Sequence, residues 1–173
     1  MAQRFLVLTV IGDDRPGLVG ELAAAIAGHE GNWLESAMSH LAGKFAGIVK
    51  VGIAAERIAG LQSDLGRLPG LAIRAEASEP EGMSGRRRLR MNLVGHDRIG
   101  IVREVSAALA RHGVNVEELA TRTESAPMSA EVLFHAQAEL TASPTVDVRA
   151  LVAELERISN DLMVEISLDE AHR

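Results

Sequence analysis

Cysteine is absent from the 173-residue sequence, and its absence excludes several kinds of site. A chain without cysteine has no disulfide framework, no thiol nucleophile and no thiolate ligand for a metal. Aromatic residues make up only 2% of the chain, so aliphatic side chains must fill the core. We find neither a signal peptide nor an apolar run long enough to span a bilayer, and we therefore expect a cytoplasmic protein.

The sequence also lacks the excess of positive charge that a nucleic-acid-binding surface requires. The formal net charge is −6, and the basic cluster of residues 86–90 lies at a predicted linker, so we expect no direct contact with nucleic acid. A nucleophile elbow, a phosphate-binding glycine loop and a histidine pair with metal-ligand spacing are missing too. These absences predict a protein that is not an enzyme and that binds neither a metal nor a cofactor.

What the sequence does contain is an internal duplication. The stretch I-G-D-D-R-P-G-L-V at residues 11–19 returns as V-G-H-D-R-I-G-I-V at residues 94–102, an offset of 83 residues. The same offset pairs Glu21 with Glu104, His29 with His112, Asn32 with Asn115 and Glu35 with Glu118. We therefore predict two domains, residues 1–77 and 89–173, joined at residues 78–88 by a linker rich in Pro, Gly and charge.

Hydrophobic periodicity predicts the element order β-α-β-β-α-β in each copy. In the first copy a strand over residues 4–11 ends in the motif, and a helix follows with Asp14 as its N-cap and Pro16 at its first helical position. The second copy has an additional loop at residues 126–130. The fold class is thus α+β, as two tandem ferredoxin-like domains whose antiparallel four-stranded sheets carry both helices on one face. On the other face we expect the apolar side chains of Ile48, Leu133 and Met163.

The two G-x-D-R-x-G turns, each followed by an asparagine after the first helix, resemble those of ACT domains, which are small-molecule regulatory modules. A tandem pair over residues 4–168, with a Pro-Met-Ser segment at residues 127–134, is similar to the glycine cleavage system transcriptional repressor family. The resemblance implies a ligand site at an interface between domains or subunits. The site residues would be Gly12, Asp14, Gly17, Asn32, Gly95, Asp97, Gly100 and Asn115.

An amino acid fits this set of groups. Backbone N–H groups at the second glycine of the motif face a helix N-terminus and suit a carboxylate, while the Asp carboxylate and the Asn oxygen accept from an ammonium group. The same residues also fit structural roles, with the aspartates as N-caps, the glycines in tight turns and the asparagines as left-handed turn residues. We interpret several other polar residues as structural or as surface charges, namely His29, His112, Glu21, Glu104, Glu154 and Arg157.

We therefore predict a non-catalytic, amino-acid-responsive regulatory protein. The resemblance implies glycine as the ligand, a homodimer, and a DNA-binding transcriptional activator as the protein partner, so that repression would act by holding that protein. A ligand at the interface would favour one relative orientation of the domains by population shift. Two alternatives stay open: an adaptor that binds its partner without a ligand, and a regulatory subunit of an enzyme of amino-acid metabolism.

Overall fold

The computed structural model describes residues 3–78, 85–125 and 131–170. The chain divides into two compact units between Gly82 and Met83, a point that lies within the predicted linker. The flanking strands extend further into that linker than predicted, since one ends at Ser78 and the next begins at Arg87. The additional loop predicted at residues 126–130 falls entirely outside the described residues. Among the described residues, no helix has the length and apolar character needed to cross a membrane.

Both domains have the predicted order of elements. The first contains β1 (Gln3–Asp13), α1 (Leu18–Gly28), β2 (Asn32–Leu41), β3 (Lys44–Ala54), α2 (Ile58–Leu65) and β4 (Leu71–Ser78). The second contains β5 (Arg87–His96), α3 (Ile101–Arg111), β6 (Asn115–Ser125), β7 (Val132–Ala142), α4 (Val148–Leu162) and β8 (Val164–Glu170). The antiparallel sheets have the strand orders β2-β3-β1-β4 and β6-β7-β5-β8, which confirms the tandem ferredoxin-like fold.

The core of each domain lies between the central strands and the helices. In β1, alternate residues Leu6, Leu8 and Val10 are buried, and they belong to the same cluster as Leu22 and Ile26 of α1. The second domain repeats this arrangement with Leu89, Met91 and Leu93 of β5 and with Val105 and Leu109 of α3. Each buried aliphatic side chain contributes about 1.5–3 kcal/mol, so this repeated stripe is a principal source of stability.

The sequence analysis expects three apolar side chains on the open face of the sheets, which is the face away from the helices. Two of these three expectations are confirmed. Ile48 pairs with Thr9, and its side chain is 52% exposed. Leu133 pairs with His96 and lies on the open face of the second sheet. The expectation for Met163 is wrong, because α4 continues to Leu162 and Met163 is its left-handed C-cap (φ 52°) rather than a strand residue.

The start of the first helix also differs from the prediction. Helix α1 begins at Leu18, after Gly17 in the left-handed conformation (φ 96°), and no side chain caps it. Asp14 is therefore not the N-cap, and Pro16 precedes the helix. The reason lies in the turn itself, since the backbone N–H of Asp14 donates to the carbonyl of Gly43 in the β2–β3 hairpin at 3.0 Å and the chain enters the helix only after Gly17.

Candidate functional site

Each motif turn is held by a backbone hydrogen bond to the start of the third strand of its domain. Asp14 N–H donates to Gly43 O at 3.0 Å, and Asp97 N–H donates to Val132 O at 2.9 Å. The carboxylates of both aspartates lie at the surface, and that of Asp14 is 3.7 Å from His40 Nε2. The backbone of each aspartate thus has a structural role, while its side chain is exposed where a ligand could approach.

The motif arginines are functional candidates that the sequence analysis passed over. Arg15 donates to Pro69 O at 3.2 Å, and Arg98 donates to Leu162 O at 3.2 Å. The Pro69 carbonyl lies in the connection between α2 and β4, and the Leu162 carbonyl belongs to the last residue of α4, two residues before β8. Each arginine therefore holds its motif turn to the chain just before the last strand of its domain. The recurrence of this arginine in both copies was the only signal in the sequence for this role.

Arg15 makes a further contact. Its two guanidinium nitrogens donate to the carboxylate oxygens of Glu21 at 2.6 and 2.7 Å. These hydrogen bonds lower the pKa of the Glu21 carboxyl below its ordinary value. Such a paired, planar contact fixes the orientation of the guanidinium as well as its position. In this respect Glu21 is more than the simple surface charge that the sequence analysis expected.

The first glycine of each motif is required by close packing. A Cβ atom at Gly12 would overlap the carbonyl oxygen of Gly70 and lie 2.8 Å from Leu71 Cδ2. A Cβ atom at Gly95 would lie 2.7 Å from Val164 Cβ. Because these neighbours belong to the start of the adjacent last strand, the two glycines have a structural explanation that needs no ligand.

The second glycine of each motif is required by backbone conformation. Gly17 and Gly100 have φ angles of 96° and 103°, in the region that other residues rarely adopt. A Cβ atom at Gly17 would have a single neighbour within 4 Å, the Glu21 carboxylate at 3.9 Å. The space in front of the helix N-terminus is therefore open, as a bound carboxylate would require.

A cavity of about 370 Å³ lies at the motif turn of the second domain. Asp97 and Gly100, two of the predicted site residues, line it together with Arg98, Ile99 and Phe134. The structure thus brings the carboxylate, the left-handed glycine and an arginine of the same turn to one concave surface. Its remaining wall is largely apolar, and Ile99 is fully exposed there.

The predicted asparagines lie at the other end of each sheet. Gly12 pairs with Phe45 and Asn32 pairs with Gly52, so the two ends are separated along β3 by the span from Phe45 to Gly52. That span is about 23 Å at about 3.3 Å per residue. In the second domain the pairs Gly95 with Phe134 and Asn115 with Thr141 give the same separation. A single domain therefore cannot hold one small ligand with both its Asp turn and its Asn.

The asparagines are not left-handed turn residues either. Asn32 and Asn115 are the first residues of β2 and β6, and the positive φ angles before them belong to Glu30 (55°) and Gly113 (66°). Asn115 Nδ2 donates to Glu117 Oε1 at 2.7 Å, whereas the Asn32 side chain has no hydrogen-bond partner within residues 3–78, 85–125 and 131–170. The two asparagines thus share a backbone position but not an environment.

Glu117 occupies a strand irregularity beside Asn115. The register of β6 shifts between Val116 and Glu118, and Glu117 Oε1 also accepts from Thr141 Oγ1 at 2.6 Å. Thr141 is only 3% exposed. The hydrogen bonds from Thr141 and Asn115 lower the pKa of the Glu117 carboxyl below its ordinary value. The sequence analysis missed Glu117 because the duplication does not repeat it.

The recurring histidines join the two helices of each domain. His29 Nε2 is 2.8 Å from Asp64 Oδ2 on α2, and His112 Nε2 is 2.8 Å from Glu154 Oε2 on α4. Glu154 also accepts from Arg111, and these bonds from Arg111 and His112 lower the pKa of its carboxyl. The interpretation of the histidines as structural residues agrees with this geometry. The described residues contain no group of three or more His, Asp or Glu side chains that could hold a metal.

Comparison with known proteins extends this description to other chains. The sequence model of the ACT domain family matches residues 4–72. The crystal structure of an unknown protein from Galdieria sulphuraria is 30% identical, covers 99% of this chain and 100% of its own, and has a TM-score of 0.85. The chain belongs to the ACT domain family. The prediction of a tandem ACT-domain protein is therefore confirmed, and both halves carry the fold of a regulatory module.

This tandem ACT protein also resembles a protein provisionally named a glycine cleavage system transcriptional repressor. The match to its crystal structure covers 100% of this chain and 100% of that chain, with 17% identity and a TM-score of 0.74. At this identity the likeness shows the fold alone. No curated protein matches the chain.

Proposed function

We propose that this ACT-domain protein is a non-catalytic regulator that responds to an amino acid. The observation that carries the proposal is the motif turn of the second domain, where Asp97 and Gly100 line a cavity of about 370 Å³ at the N-terminus of α3. The N-terminal N–H groups of a helix favour a carboxylate, and an Asp carboxylate favours an ammonium group. An amino acid carries both groups a few bonds apart.

The ligand site is proposed to include the asparagines as well. Because Asp97 and Asn115 lie at opposite ends of one sheet, a ligand that contacts both kinds of residue needs them from two different ACT domains. Binding would then favour arrangements in which the two walls meet, since a ligand shifts an equilibrium only by its difference in affinity for the two states. The first-copy residues Gly12, Asp14, Gly17 and Asn32 supply the equivalent groups.

We further propose that the protein is cytoplasmic, forms a homodimer and acts on transcription through a protein partner, with glycine as the first ligand to test. The net charge of −6 supports action through a protein, because a chain of this charge has no general attraction to a phosphate backbone. A role in transcription is supported by the fold that the chain shares with the protein provisionally named a glycine cleavage system transcriptional repressor.

Thermal unfolding of the purified full chain in the presence of each proteinogenic amino acid tests the sensor function. A ligand at about 100 times its dissociation constant stabilises the folded state by about 2.7 kcal/mol, which is readily measured as a higher Tm. Asp14→Ala and Asp97→Ala should reduce the shift, and Glu156→Ala, which removes an exposed carboxylate from α4 in the helix layer, is the control.

The outcomes separate the candidate functions. A Tm shift that the turn variants reduce and the control keeps supports a sensor. If no amino acid changes the Tm, the sensor function is wrong, and a ligand-independent adaptor explains the fold instead. Affinity capture with and without glycine then identifies the partner, and capture of a metabolic enzyme rather than a transcription factor would contradict the proposed role in transcription.

A further inference from the structure

One row of residues that crosses the sheet at its asparagine end differs in chemistry between the two domains. In the first domain, Asn32 pairs with Gly52, which pairs with Phe5. In the second domain, Asn115 pairs with Thr141, which pairs with Arg88. The asparagine is thus kept, while a glycine becomes a hydroxyl residue and an aromatic residue becomes an exposed arginine.

The strand irregularity next to the asparagine is also more polar in the second domain. In the first domain the register of β2 shifts between Trp33 and Glu35, so that Leu34 occupies this place with 43% of its surface exposed. In the second domain Glu117 occupies it and accepts from Asn115 and Thr141 at 2.7 and 2.6 Å. The second domain therefore has a carboxylate where the first has an aliphatic side chain.

The hydrogen bonds at Glu117 also orient the neighbouring amide. Because Asn115 donates through Nδ2 to Glu117, its Oδ1 is left as an acceptor. A carboxylate and an amide oxygen side by side are acceptors that suit an ammonium group, and a guanidinium across the same row suits a carboxylate. Together these side chains match the two charges of a free amino acid.

We propose that the asparagine end of the second domain binds the charged groups of the amino-acid ligand, with Glu117 as the specificity-determining residue for the ammonium group and Arg88 for the carboxylate. The inference rests on the proposed amino-acid sensing. The equivalent end of the first domain does not have these charges, since Phe5, Leu34 and Gly52 stand in their places. A lysine of β3, Lys50, has its Nζ 5.5 Å from the centre of the Phe5 ring and 3.9 Å from Glu35 Oε2.

The test is isothermal titration of the full chain with glycine and leucine, each used as the free amino acid, as its amide and as its N-acetyl derivative. Glu117→Gln, which keeps the size of the side chain, should weaken binding of the free amino acid and of the amide at least 10-fold. Arg88→Phe, which installs the first-domain residue, should weaken the free amino acid but leave the amide unchanged. The N-acetyl derivatives should not bind.

Leu34→Ala is the matched variant of the first domain at the position equivalent to Glu117, and we expect it to retain the wild-type affinity within twofold. Leu34 is exposed, and circular dichroism and Tm confirm that each variant is folded. Equal losses in Leu34→Ala and Glu117→Gln, or wild-type affinity in Glu117→Gln, would overturn the inference while leaving amino-acid sensing intact. Absence of binding by the wild type to these probes and to the whole amino-acid panel would remove the proposed function and the inference together.

Discussion

In the first domain, Arg15 binds both a backbone carbonyl and the carboxylate of Glu21, whereas in the second domain Arg98 binds the corresponding carbonyl while Glu104 lies 3.9 Å from Arg103 instead. The contact to the main chain is thus common to the two copies, and the contact to the side chain is not. This difference indicates that the main role of the shared arginine is to hold the turn through its hydrogen bond to the main chain.

The open faces of the two sheets show a wider difference. Along β1 this face carries Val7, Thr9 and Ile11, while along β5 the same positions carry Arg90, Asn92 and Val94. The faces toward the helices are apolar in both domains. The core therefore constrains one face of each sheet, and the other face was free to acquire different chemistry in each copy.

The largest expected effect tests whether the first motif glycine has the same role in both domains. Gly12→Ala and Gly95→Ala each place a Cβ atom against the adjacent last strand, at Gly70 and Val164. Overpacking of this kind costs about 1–3 kcal/mol, and we expect values at the upper end because the neighbours are backbone or β-branched atoms. Urea unfolding measures the loss, with fluorescence of Trp33, the single tryptophan, following the first domain.

Gly20→Ala is the control for these substitutions. Gly20 lies within α1, and a Cβ atom there would have no neighbour within 4 Å. Replacing a helical glycine with alanine stabilises a helix by about 0.5–1 kcal/mol. If Gly12→Ala, like Gly20→Ala, leaves the protein at least as stable as the wild type, the close-packing explanation is wrong.

A smaller effect is expected at the second motif glycine, and here the two domains should agree. Gly17→Ala and Gly100→Ala would force alanine to φ angles of 96° and 103°. The left-handed region costs a residue with a Cβ about 1–2 kcal/mol. Urea unfolding of both variants measures this cost, and Gly→Asn at the same sites should recover part of it because Asn tolerates such angles better. A neutral Gly17→Ala would show that the turn can relax, and the two copies would then differ in rigidity.

Most of the fold could be predicted from the sequence because its signals are local. The alternation of Leu6, Leu8 and Val10, repeated as Leu89, Met91 and Leu93, identifies the central strand of each sheet without any knowledge of its neighbours. The offset of the duplication then predicts equal topology in both halves. These features need only the spacing of residue types along the chain.

The candidate site was predicted less completely because its contacts are distant along the chain. Arg15 binds the carbonyl of Pro69, and a carbonyl group has no signature in the sequence. Asp14 matched the pattern of an N-cap, but the hairpin holds its backbone away from the helix. The separation of each Asp turn from its Asn depends on strand register, which only the structure supplies.

A third prediction concerns the helix pairs, where the second domain has the denser ionic network. Glu154 is bound by Arg111 and His112, and these contacts lower the pKa of its carboxyl below the ordinary value. A group whose pKa is lowered by folding stabilises the protein above the unfolded-state pKa, and this contribution is lost as pH falls through the folded-state value. Glu154→Gln should therefore lower the Tm at pH 7, and the difference from wild type should shrink below about pH 4.

Asp64→Asn is the matched variant of the first domain, where His29 and Arg67 are the partners. Thermal unfolding at pH 3, 5 and 7 compares the two. We expect the smaller loss for Asp64→Asn because half of that carboxylate is exposed, against 21% for Glu154. A larger loss at Asp64 would reverse the assignment of the denser network to the second domain.

The smallest expected effect returns to the motif arginines. Glu21→Gln removes the charge that Arg15 binds at 2.6 and 2.7 Å but leaves the bond from Arg15 to Pro69 in place, so the first domain should lose a little stability without losing the shape of the turn. The pKa of Glu21 is lowered by these hydrogen bonds, and its contribution should therefore be present at pH 7 and vanish in acid. Glu104→Gln has no such pair to lose and should leave the Tm unchanged at either pH. Equal effects of Glu21→Gln and Glu104→Gln in thermal unfolding would mean that Arg98 reaches Glu104 in solution, and the two turns would then be held alike.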